Sequence, residues 1–379
     1  MILVLNAGSS SLKAEVFDAD LASLLSVSVS EIGKDGVLKS GQLHQPVQTK
    51  DHADALTLIL GALDDAGHPL ASLTAAAHRV VHGGATLTAP VRLTAQTIES
   101  IKACIPLAPL HNPANLAAIL ALGQLAPDLP QFASFDTAFH ATNPALATTY
   151  PIPADEQAKG LRRYGFHGLS YAGLVRAISP MPSRLLALHL GNGASLCAIL
   201  NGKSVATSMG YSPLDGLVMG TRSGAIDGMA VLQLAQDHGI DGANAILNRR
   251  SGLTALAGTN DMASILARND EAARFAVDHF CYWAARHAGS AVVAMGGLDA
   301  IAFTGGIGEN APGIRERILA HLAFLGPVPV HIISRRRRTA DRPRRPKPDE
   351  ALMIRKKGSG HCSQAIDAAL IQHLSGGPE

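Results

Sequence analysis

The chain has 379 residues, of which 47% are hydrophobic and 16% are charged. This composition is too apolar for a disordered chain, and at roughly 150 residues per domain the length predicts two or three domains. The formal net charge is +2, but eight basic residues and one acid lie between Arg335 and Lys347, so the remainder carries about −5. Positive charge is therefore confined to one segment, which excludes an extended basic surface for nucleic acid.

The cysteines and the N-terminus bear on where the protein works. The four cysteines (Cys104, Cys197, Cys281 and Cys362) are widely separated, which excludes a CxxC metal site and a disulfide-stapled secreted module. The chain begins Met-Ile-Leu-Val-Leu-Asn, without the basic leader of a signal peptide. Residues 103–127 are free of charge but contain four prolines, so they are a poor membrane span. We expect a soluble cytoplasmic protein without a membrane or nucleic-acid partner.

Two similar hairpins are predicted far apart in the chain. Residues 2–5 and 12–17 read as strands around the loop Asn-Ala-Gly-Ser-Ser-Ser, and residues 185–190 and 196–200 as strands around the loop Gly-Asn-Gly-Ala-Ser. An Asn-Gly turn at 201–202 predicts a further hairpin. Two glycine- and hydroxyl-rich loops about 185 positions apart indicate a duplicated protein of two lobes, each offering one loop to a shared cleft.

The remaining elements predict an α/β fold. Residues 300–304 read as a strand, and the following Gly-Gly-Ile-Gly-Glu-Asn opens a helix with Pro312 near its first turn. Further helices are predicted around 54–65, 114–122, 228–238 and 270–295. Prolines at 144, 151 and 153 place the lobe boundary near 145–160.

The three loops suit phosphate binding, because clustered N–H groups and hydroxyls cradle anions. The first two do not match the P-loop pattern, since no lysine follows and the next element reads as a strand. Residues 306–311 fit the GxGxxA fingerprint of dinucleotide-binding proteins, but the acid expected about 20 residues later is missing. An NAD-dependent oxidoreductase therefore stays a minor alternative.

Charged residues in apolar surroundings indicate a site. Arg79, Asp136 and His167 each stand among apolar or small residues, and a buried charge requires a partner. That partner is either another of these residues, in a structural ion pair, or a ligand. Together with the glycine loops, the pattern favours a site for an anionic substrate.

At this point the chain resembles the acetate kinase family, in the superfamily of actin, sugar kinases and heat-shock ATPases. The matching blocks run in order from Met1 to about Leu325: NAGSSSLK, HRVVHGG, PLAPLHNP, FDTAFH, RRYGFHG, HLGNGAS, TSMGYSPLDGLVMGTRSG and FTGGIGEN. The resemblance implies a duplicated two-lobe, actin-like (ribonuclease H-like) α/β fold with a central cleft. It implies an N-terminal lobe over 1–148, joined by a C-terminal helix at 362–375, and a nucleotide-binding, dimerising lobe over 149–361.

The activity implied is reversible phosphoryl transfer from ATP to acetate, giving acetyl phosphate and ADP, by a homodimer that uses Mg²⁺, with Mn²⁺ as an alternative. The implied catalytic residues are Arg79, His111, Asp136, His167 and Arg222. Those implied to bind the small carboxylate are Arg79, Val81, Leu110, Phe166 and Pro213. Those implied to bind the nucleotide are Ser10, Lys13, His189, Leu190, Gly191, Asn192, Gly193, Asp261, Met262, Gly306, Ile307, Gly308, Glu309 and Asn310. Asn6 and Glu350 are implied to bind the metal.

These residue types agree with the chemistry. A carboxylate is already a nucleophile at neutral pH, so the protein has to position two anions in line and neutralise the charge of the transition state. Arginines, a histidine and a divalent metal would supply that positive field.

Three departures from the family's pattern leave alternatives open. Ala225 and Ala263 replace an acid and an arginine of the family's motifs, and residues 326–349 are rich in arginine and proline. Proline and like charge at this density exclude a central strand, so we expect a solvated loop here and hypothesise a compensated reading-frame change. The alternatives are a propionate or butyrate kinase, or a weakly catalytic nucleotide-binding relative.

Overall fold

The computed structural model describes residues 1–333, and these divide into two compact units, the first ending in sequence at Ala138 and the second beginning at Phe139. This division lies N-terminal to the boundary at 148 that the sequence predicts. The predicted helix at 362–375, Glu350 and most of the arginine-rich segment lie outside the described residues.

The first unit is an eight-stranded mixed sheet with helices packed on it. Its elements are β1 (Ile2–Ala7), β2 (Ser11–Phe17), β3 (Ser23–Ser30), β4 (Asp35–Ser40), β5 (Leu43–Gln48), α1 (His52–Asp65), β6 (Ala75–Val80), β7 (Val91–Arg92), α2 (Ala95–Ala103), α3 (Asn112–Leu125) and β8 (Gln131–Phe135). The strand order is β5-β4-β3-β2-β1-β6-β8-β7. Alternate residues of β2 are buried, and they form one core with apolar side chains of α1 and α3.

The second unit contains a five-stranded sheet of order β11-β10-β9-β12-β13. Its elements are α4 (Ala145–Thr148), α5 (Ala154–Ala158), α6 (Gly168–Ala177), β9 (Arg184–Leu190), β10 (Ala194–Leu200), β11 (Lys203–Thr207), α7 (Gly228–Arg249), α8 (Gly252–Ala257), α9 (Met262–Leu266), α10 (Glu271–Met295), β12 (Ala300–Thr304), α11 (Gly305–Asn310), α12 (Pro312–His321) and β13 (Val330–Ile332). Helix α6 packs on β9, β10 and β12 through buried apolar side chains.

The two sheets repeat one pattern of strand directions. In the first unit β3, β2 and β1 are antiparallel neighbours, and β6 and then β8 continue the sheet parallel to β1. In the second unit β11, β10 and β9 are antiparallel, and β12 and β13 continue parallel to β9. The duplication that the two hairpin loops predict is therefore confirmed.

The structure departs from the predictions in two places. The single helix predicted after residue 304 is divided into α11 and α12, because Ala311 precedes Pro312 and has a non-helical φ of −112° and ψ of 82°. The loop predicted for 326–349 contains, at its beginning, the short strand β13, which pairs in parallel with β12. The apolar run 327–333 precedes the arginines, so the prolines and charges do not prevent this pairing.

None of the helices within residues 1–333 combines the length and the apolarity needed to cross a bilayer. The charge-free stretch around residue 115 instead forms α3, which begins one residue before Pro113.

Candidate active site

In the first unit, three predicted site residues converge at the carboxyl ends of adjacent strands. Arg79 of β6 donates hydrogen bonds from Nε and Nη2 to the Asp136 carboxylate, the shorter being 2.6 Å. Arg79 Nη1 also donates to Asn6 Oδ1 at 3.3 Å. Asp136 and Arg79 side chains are only 3% and 14% exposed, so this is a largely buried ion pair. The bidentate geometry fixes the guanidinium plane beside Asn6.

The beginning of α3 holds the end of β1 and the turn after β6 in place. The buried Asn115 accepts from the Val81 N–H at 3.0 Å and donates to the Ala7 carbonyl at 2.7 Å. Asn112 accepts from the His82 N–H and donates to the His82 carbonyl. Both asparagines are therefore hydrogen-bonded to the backbone of the turn that follows Arg79, and Asn115 also to the end of β1.

His82 in this turn is held neutral. Its Nδ1 accepts a hydrogen bond from the Gly84 N–H at 2.9 Å, and burial lowers its pKa to about 4. A protonated ring could not accept that bond. His82 is therefore a structural histidine of the turn, and we assign it no charge at neutral pH.

The other candidates of this unit lie in more open positions. Val81 is buried, His111 immediately precedes α3 and is half-buried, and Leu110 is 38% exposed. Ser10 is exposed at the tip of the first hairpin, where the Gly8 N–H donates to the Ser11 carbonyl, and Lys13 is half-buried on β2. The sequence thus identified the paired charges and the loop, but the structure does not bring Leu110 into the apolar core.

The implied magnesium can be compared with the oxygen atoms present. Mg²⁺ prefers carboxylate and amide oxygens and in kinases is held by few protein ligands, the substrate phosphates supplying others. Asn6 Oδ1 and the Asp136 carboxylate are donors of this kind, linked through Arg79. The residues present therefore fit such an ion, while Glu350, the second implied ligand, lies outside the described residues.

In the second unit, His167 stands in a strained turn before α6. Its φ is +59°, and Gly165 two residues earlier has φ +78°. A Cβ on Gly165 would lie 2.5 Å from the Thr207 side chain, so only glycine fits there. His140 Nε2 donates to the Phe166 carbonyl at 2.9 Å and burial lowers the pKa of His140 to about 4, so a neutral ring braces this turn.

His167 lies against a second predicted site residue. The rings of His167 and His189 have centroids 4.4 Å apart and are inclined by 33°. Ser195 Oγ lies 2.8 Å from His167 Nδ1, and Ser170 Oγ lies 2.8 Å from His189 Nδ1. Both imidazoles are thus oriented by hydroxyl groups.

The two predicted nucleotide loops of this unit are neighbours. Gly305 has φ +81°, and a Cβ there would lie 2.5 Å from the Leu190 carbonyl oxygen, so glycine permits the backbones to approach. A Cβ on Gly191 would lie 3.8 Å from the Gly306 nitrogen. The turn at 191–193 and helix α11, which contains residues 306–310, are therefore adjacent and form one glycine-rich surface of the kind that accommodates a nucleotide.

Asn192 connects this surface to two further candidates. Its carbonyl accepts from the Gly220 N–H at 2.9 Å, and its Oδ1 accepts from Asn260 Nδ2 at 3.1 Å. Two residues after Gly220, Arg222 Nη1 donates to the Pro213 carbonyl at 2.8 Å. Adjacent to Asn260, Asp261 is exposed and caps α9 through the N–H groups of residues 263 and 264, which places it at the beginning of that helix with Met262 buried behind it.

Several supporting residues escaped the sequence analysis. Asn115 and Ser170 contact predicted site residues or the backbone beside them, and Tyr171 contacts Ser195 beside His167. These three residues are uncharged, and no local pattern separates them from ordinary helix residues. Ser195 belongs to the second loop predicted for phosphates, but the structure places it, fully buried, in β10 against His167. Their value depends on contacts between distant positions, which only the fold reveals.

Comparison with known proteins identifies the family of the chain. The sequence matches the acetokinase family over residues 1–344. It is 42% identical to an acetate kinase of Thermoanaerobacterium thermosaccharolyticum, covering 86% of this chain and 87% of that protein. It is 40% identical to an acetate kinase of Rhodopseudomonas palustris, with the same coverage of both.

Solved structures give the same result. A propionate kinase from Francisella tularensis superposes with a TM-score of 0.81 at 39% identity, covering 86% of this chain and 88% of that one. An acetate kinase from Porphyromonas gingivalis superposes with a TM-score of 0.80 at 36% identity and the same coverage. The fold, the buried Arg79–Asp136 pair and these similarities lead to one conclusion: the chain belongs to the acetokinase family.

Proposed function

We propose that this protein is an acetate kinase that transfers the γ-phosphoryl group of ATP reversibly to acetate, giving acetyl phosphate and ADP. Family membership over residues 1–344 supports the reaction class. The observation that carries the assignment in this chain is the buried Arg79, held by Asp136 beside Asn6. A guanidinium fixed in this way is suited to hold a small carboxylate.

The first unit would bind the acid and orient its nucleophilic oxygen. Arg79 pairs with the acetate carboxylate, and Val81 and Leu110 contribute apolar surface for the methyl group. Asp136 holds Arg79 in its orientation by accepting hydrogen bonds from both Nε and Nη2, which reduces the entropy lost when substrate binds. No general base is required, because acetate is ionised at neutral pH.

The second unit would bind the nucleotide and stabilise the transferring group. The glycine-rich surface at 191–193 and 306–310 suits phosphates and adenosine, with Asp261 near it through Asn260. Arg222 and His167 would donate hydrogen bonds to phosphoryl oxygens as charge spreads over them. In the first unit, His111 is a further candidate donor. The resemblance also implies Pro213 and Phe166 as contacts of the acyl group.

Magnesium fits this proposal through Asn6 and Asp136, with Mn²⁺ as the alternative ion. When bound, the ion would neutralise charge on the phosphate oxygens. The nucleotide substrate would be ATP in one direction and ADP in the other.

A propionate kinase is the second candidate, because one solved relative carries that name at 39% identity. Acetate and propionate differ by one methylene, which an apolar pocket discriminates by only about 1–3 kcal/mol. Butyrate extends the same series. A weakly catalytic nucleotide-binding protein is a third candidate, since Ala225 and Ala263 depart from the family's motifs.

We also propose that the protein is a cytoplasmic homodimer formed through its second unit. Large apolar side chains are exposed on α7 and α10, among them Met229 (71%), Ile240 (82%) and Phe275 (56%). Exposed apolar surface of this extent supports a protein–protein contact. The three free cysteines of the described residues are buried, in keeping with a reducing compartment.

The reaction is tested most simply in reverse. Purified protein, acetyl phosphate and MgADP are combined, and the acetyl phosphate and ATP signals are followed by ³¹P NMR. The proposal predicts that the acetyl phosphate signal decreases at the same rate as the ATP signal increases. Loss of acetyl phosphate without ATP formation would indicate a phosphatase and would contradict the proposal.

A further inference from the structure

A chain of three buried hydroxyl and imidazole groups runs from the interior of the second unit to His167. Tyr171 Oη lies 2.5 Å from Ser195 Oγ, and Ser195 Oγ lies 2.8 Å from His167 Nδ1. Tyr171 and Ser195 are completely buried, and His167 is 6% exposed. We call Tyr171, Ser195 and His167 the hydroxyl relay.

The donors and acceptors present in the relay determine which group donates each hydrogen bond. Among the described residues, Ser195 is the only side chain that hydrogen-bonds to the Tyr171 hydroxyl, and a backbone N–H such as that of His189 can only donate to its oxygen. The phenol proton must therefore go to Ser195. Burial raises the pKa of Tyr171 well above 10, so that proton is present at neutral pH.

The direction of the hydrogen bond from Tyr171 also determines what the Ser195 hydroxyl donates to. Its oxygen accepts from Tyr171, so its own proton is donated to His167 Nδ1, and a ring that accepts at Nδ1 carries its proton on Nε2. In the reverse direction, with a proton on Nδ1, either the phenol or the serine would keep a buried O–H without an acceptor, which is costly. Only one arrangement gives both hydroxyl protons an acceptor.

We propose that Tyr171 and Ser195 are positioning residues that hold His167 as the Nε2–H tautomer, so that it presents a fixed N–H donor. This inference rests on the proposed function only for its consequence, which is that His167 donates from Nε2 to an oxygen of the transferring phosphoryl group. The fold brings the three residues of the hydroxyl relay together. Tyr171 and His167 lie one turn apart, Tyr171 on α6 and His167 just before it, and Ser195 lies on β10 opposite His189 of β9.

The tautomer is measured directly by NMR on the full chain labelled with ¹⁵N-histidine. The His167 resonances are identified by their loss in His167→Gln. We expect a protonated Nε2 and an unprotonated, hydrogen-bonded Nδ1 in the wild type. In Ser195→Ala we expect the two nitrogens to shift towards the averaged values of a mixture of tautomers. A wild-type ring protonated at Nδ1, or a spectrum unchanged by Ser195→Ala, would overturn the inference.

Kinetics test whether the relay acts as a unit. We expect Tyr171→Phe to lower kcat roughly 10-fold while KM for acetate changes little. The substitution misorients the N–H donor of His167 but leaves the groups that bind acetate unchanged. The double variant Tyr171→Phe/Ser195→Ala should be no slower than Ser195→Ala alone. Reductions in kcat that multiply would show independent effects and would refute the relay.

A matched control removes a different tyrosine hydroxyl from the same unit. Tyr150 Oη accepts from the Tyr211 N–H at 3.1 Å and contacts none of the relay residues, so Tyr150→Phe should preserve both kcat and the His167 spectrum. If the wild type makes no acyl phosphate at all, the proposed function is wrong. The NMR measurement needs no substrate and decides the relay in that case too.

Discussion

Arg79 and Asp136 are the residues whose burial most constrains their roles. Their side chains are 14% and 3% exposed, so each charge depends on the other for solvation that water no longer provides. Arg79 also contacts Asn6, which is why the three residues form one polar cluster at the carboxyl ends of β1, β6 and β8. Removing one member of this cluster would leave a buried charge without its partner, which lowers the free energy of unfolding.

Truncating one partner should therefore destabilise the first unit. We predict that Asp136→Ala lowers the free energy of unfolding by about 3 kcal/mol, because the Arg79 guanidinium loses its bidentate partner. Urea denaturation followed by circular dichroism measures this. As the control, Asp215→Ala breaks a more exposed pair with Arg163, in which Asp215 is 34% exposed, and should cost at most about 1 kcal/mol. Equal losses would contradict the buried pair's importance.

Arg222 should matter for rate more than for stability. We predict that Arg222→Ala lowers kcat by ~10³-fold with the fold retained, because a cationic donor to the transferring phosphoryl group is removed. A coupled assay for ADP gives kcat, and a thermal melt gives stability. Arg249→Ala, on the exposed end of α7, removes the same charge elsewhere and should preserve kcat. Near-normal turnover of Arg222→Ala would exclude it from the catalytic machinery.

The sequence predicted the charged residues of the candidate site better than the neutral residues that support them. Arg79 and Asp136 stand out because a charge among apolar residues demands compensation, and the structure pairs them. Ser195 and Tyr171 carry no such signal, since serine in a glycine loop and tyrosine in a helix are common and inexpensive. Their contacts with His167 depend on α6 packing over β9 and β10, which is a property of the fold.

At the scale of elements, the beginning of α3 acts as a clamp on two strands. Asn115 accepts from Val81 after β6 and donates to Ala7 at the end of β1, and its side chain is buried. These two backbone groups have no access to water as a substitute partner. The clamp therefore sets the position of the strand ends that carry Asn6 and Arg79.

We predict that Asn115→Ala lowers the free energy of unfolding by about 2 kcal/mol, because a buried N–H and a buried carbonyl lose their partners. Hydrogen exchange should also accelerate at the Val81 amide, just after β6, before it does at the amides of β6 itself. Asn248→Ala removes an asparagine side chain whose bonds stay within α7 and should cost less than about 1 kcal/mol. An unchanged exchange rate at Val81 would contradict the clamp.

Elements with strong local signals were predicted correctly. The hairpins β1–β2 and β9–β10 follow from alternating apolar residues around glycine loops, and the turn after β10 has Asn201 and Gly202 at φ +51° and +77°. Strands β3 to β5 were not predicted. Residues 23–48 contain many serines, glutamines and exposed positions, so their pairing depends on β2 as a template more than on their own burial.

At the scale of the whole molecule, buried neutral histidines link stability to pH. Burial lowers the pKa of His78, His82 and His140 from 6.5 to about 4. Below pH 6.5 the unfolded chain binds protons that the folded protein refuses until pH is near 4. Stability is therefore full above pH 6.5 and falls as pH decreases.

We predict a loss of unfolding free energy of up to about 1.4 kcal/mol per pH unit for each of these histidines. Urea denaturation between pH 6.5 and 5 measures it, since most carboxylates stay ionised there. The variant His140→Asn should flatten the slope by removing one of the titrating groups. A free energy of unfolding independent of pH in this window would show that the histidines are protonated in the folded state.

The duplication of the strand pattern is also a property of the whole molecule. Along five neighbouring strands of each unit, successive pairs are antiparallel, antiparallel, parallel and parallel, and in each unit the loop of the first hairpin contains glycine. The resemblance of the hairpin loops predicted this from the sequence, because both loops need small residues at a tight turn. The direction of β6 and β12 could not be predicted, since parallel pairing depends on the intervening helices.

The central claim is that this chain phosphorylates a small carboxylate. The most direct measurement traps the acyl phosphate with hydroxylamine, using ATP and Mg²⁺ with acetate, propionate or butyrate. The account predicts ATP-dependent hydroxamate formation that is fastest with acetate and is lost in Arg79→Ala. ATP binding without hydroxamate from any of the three acids would contradict it.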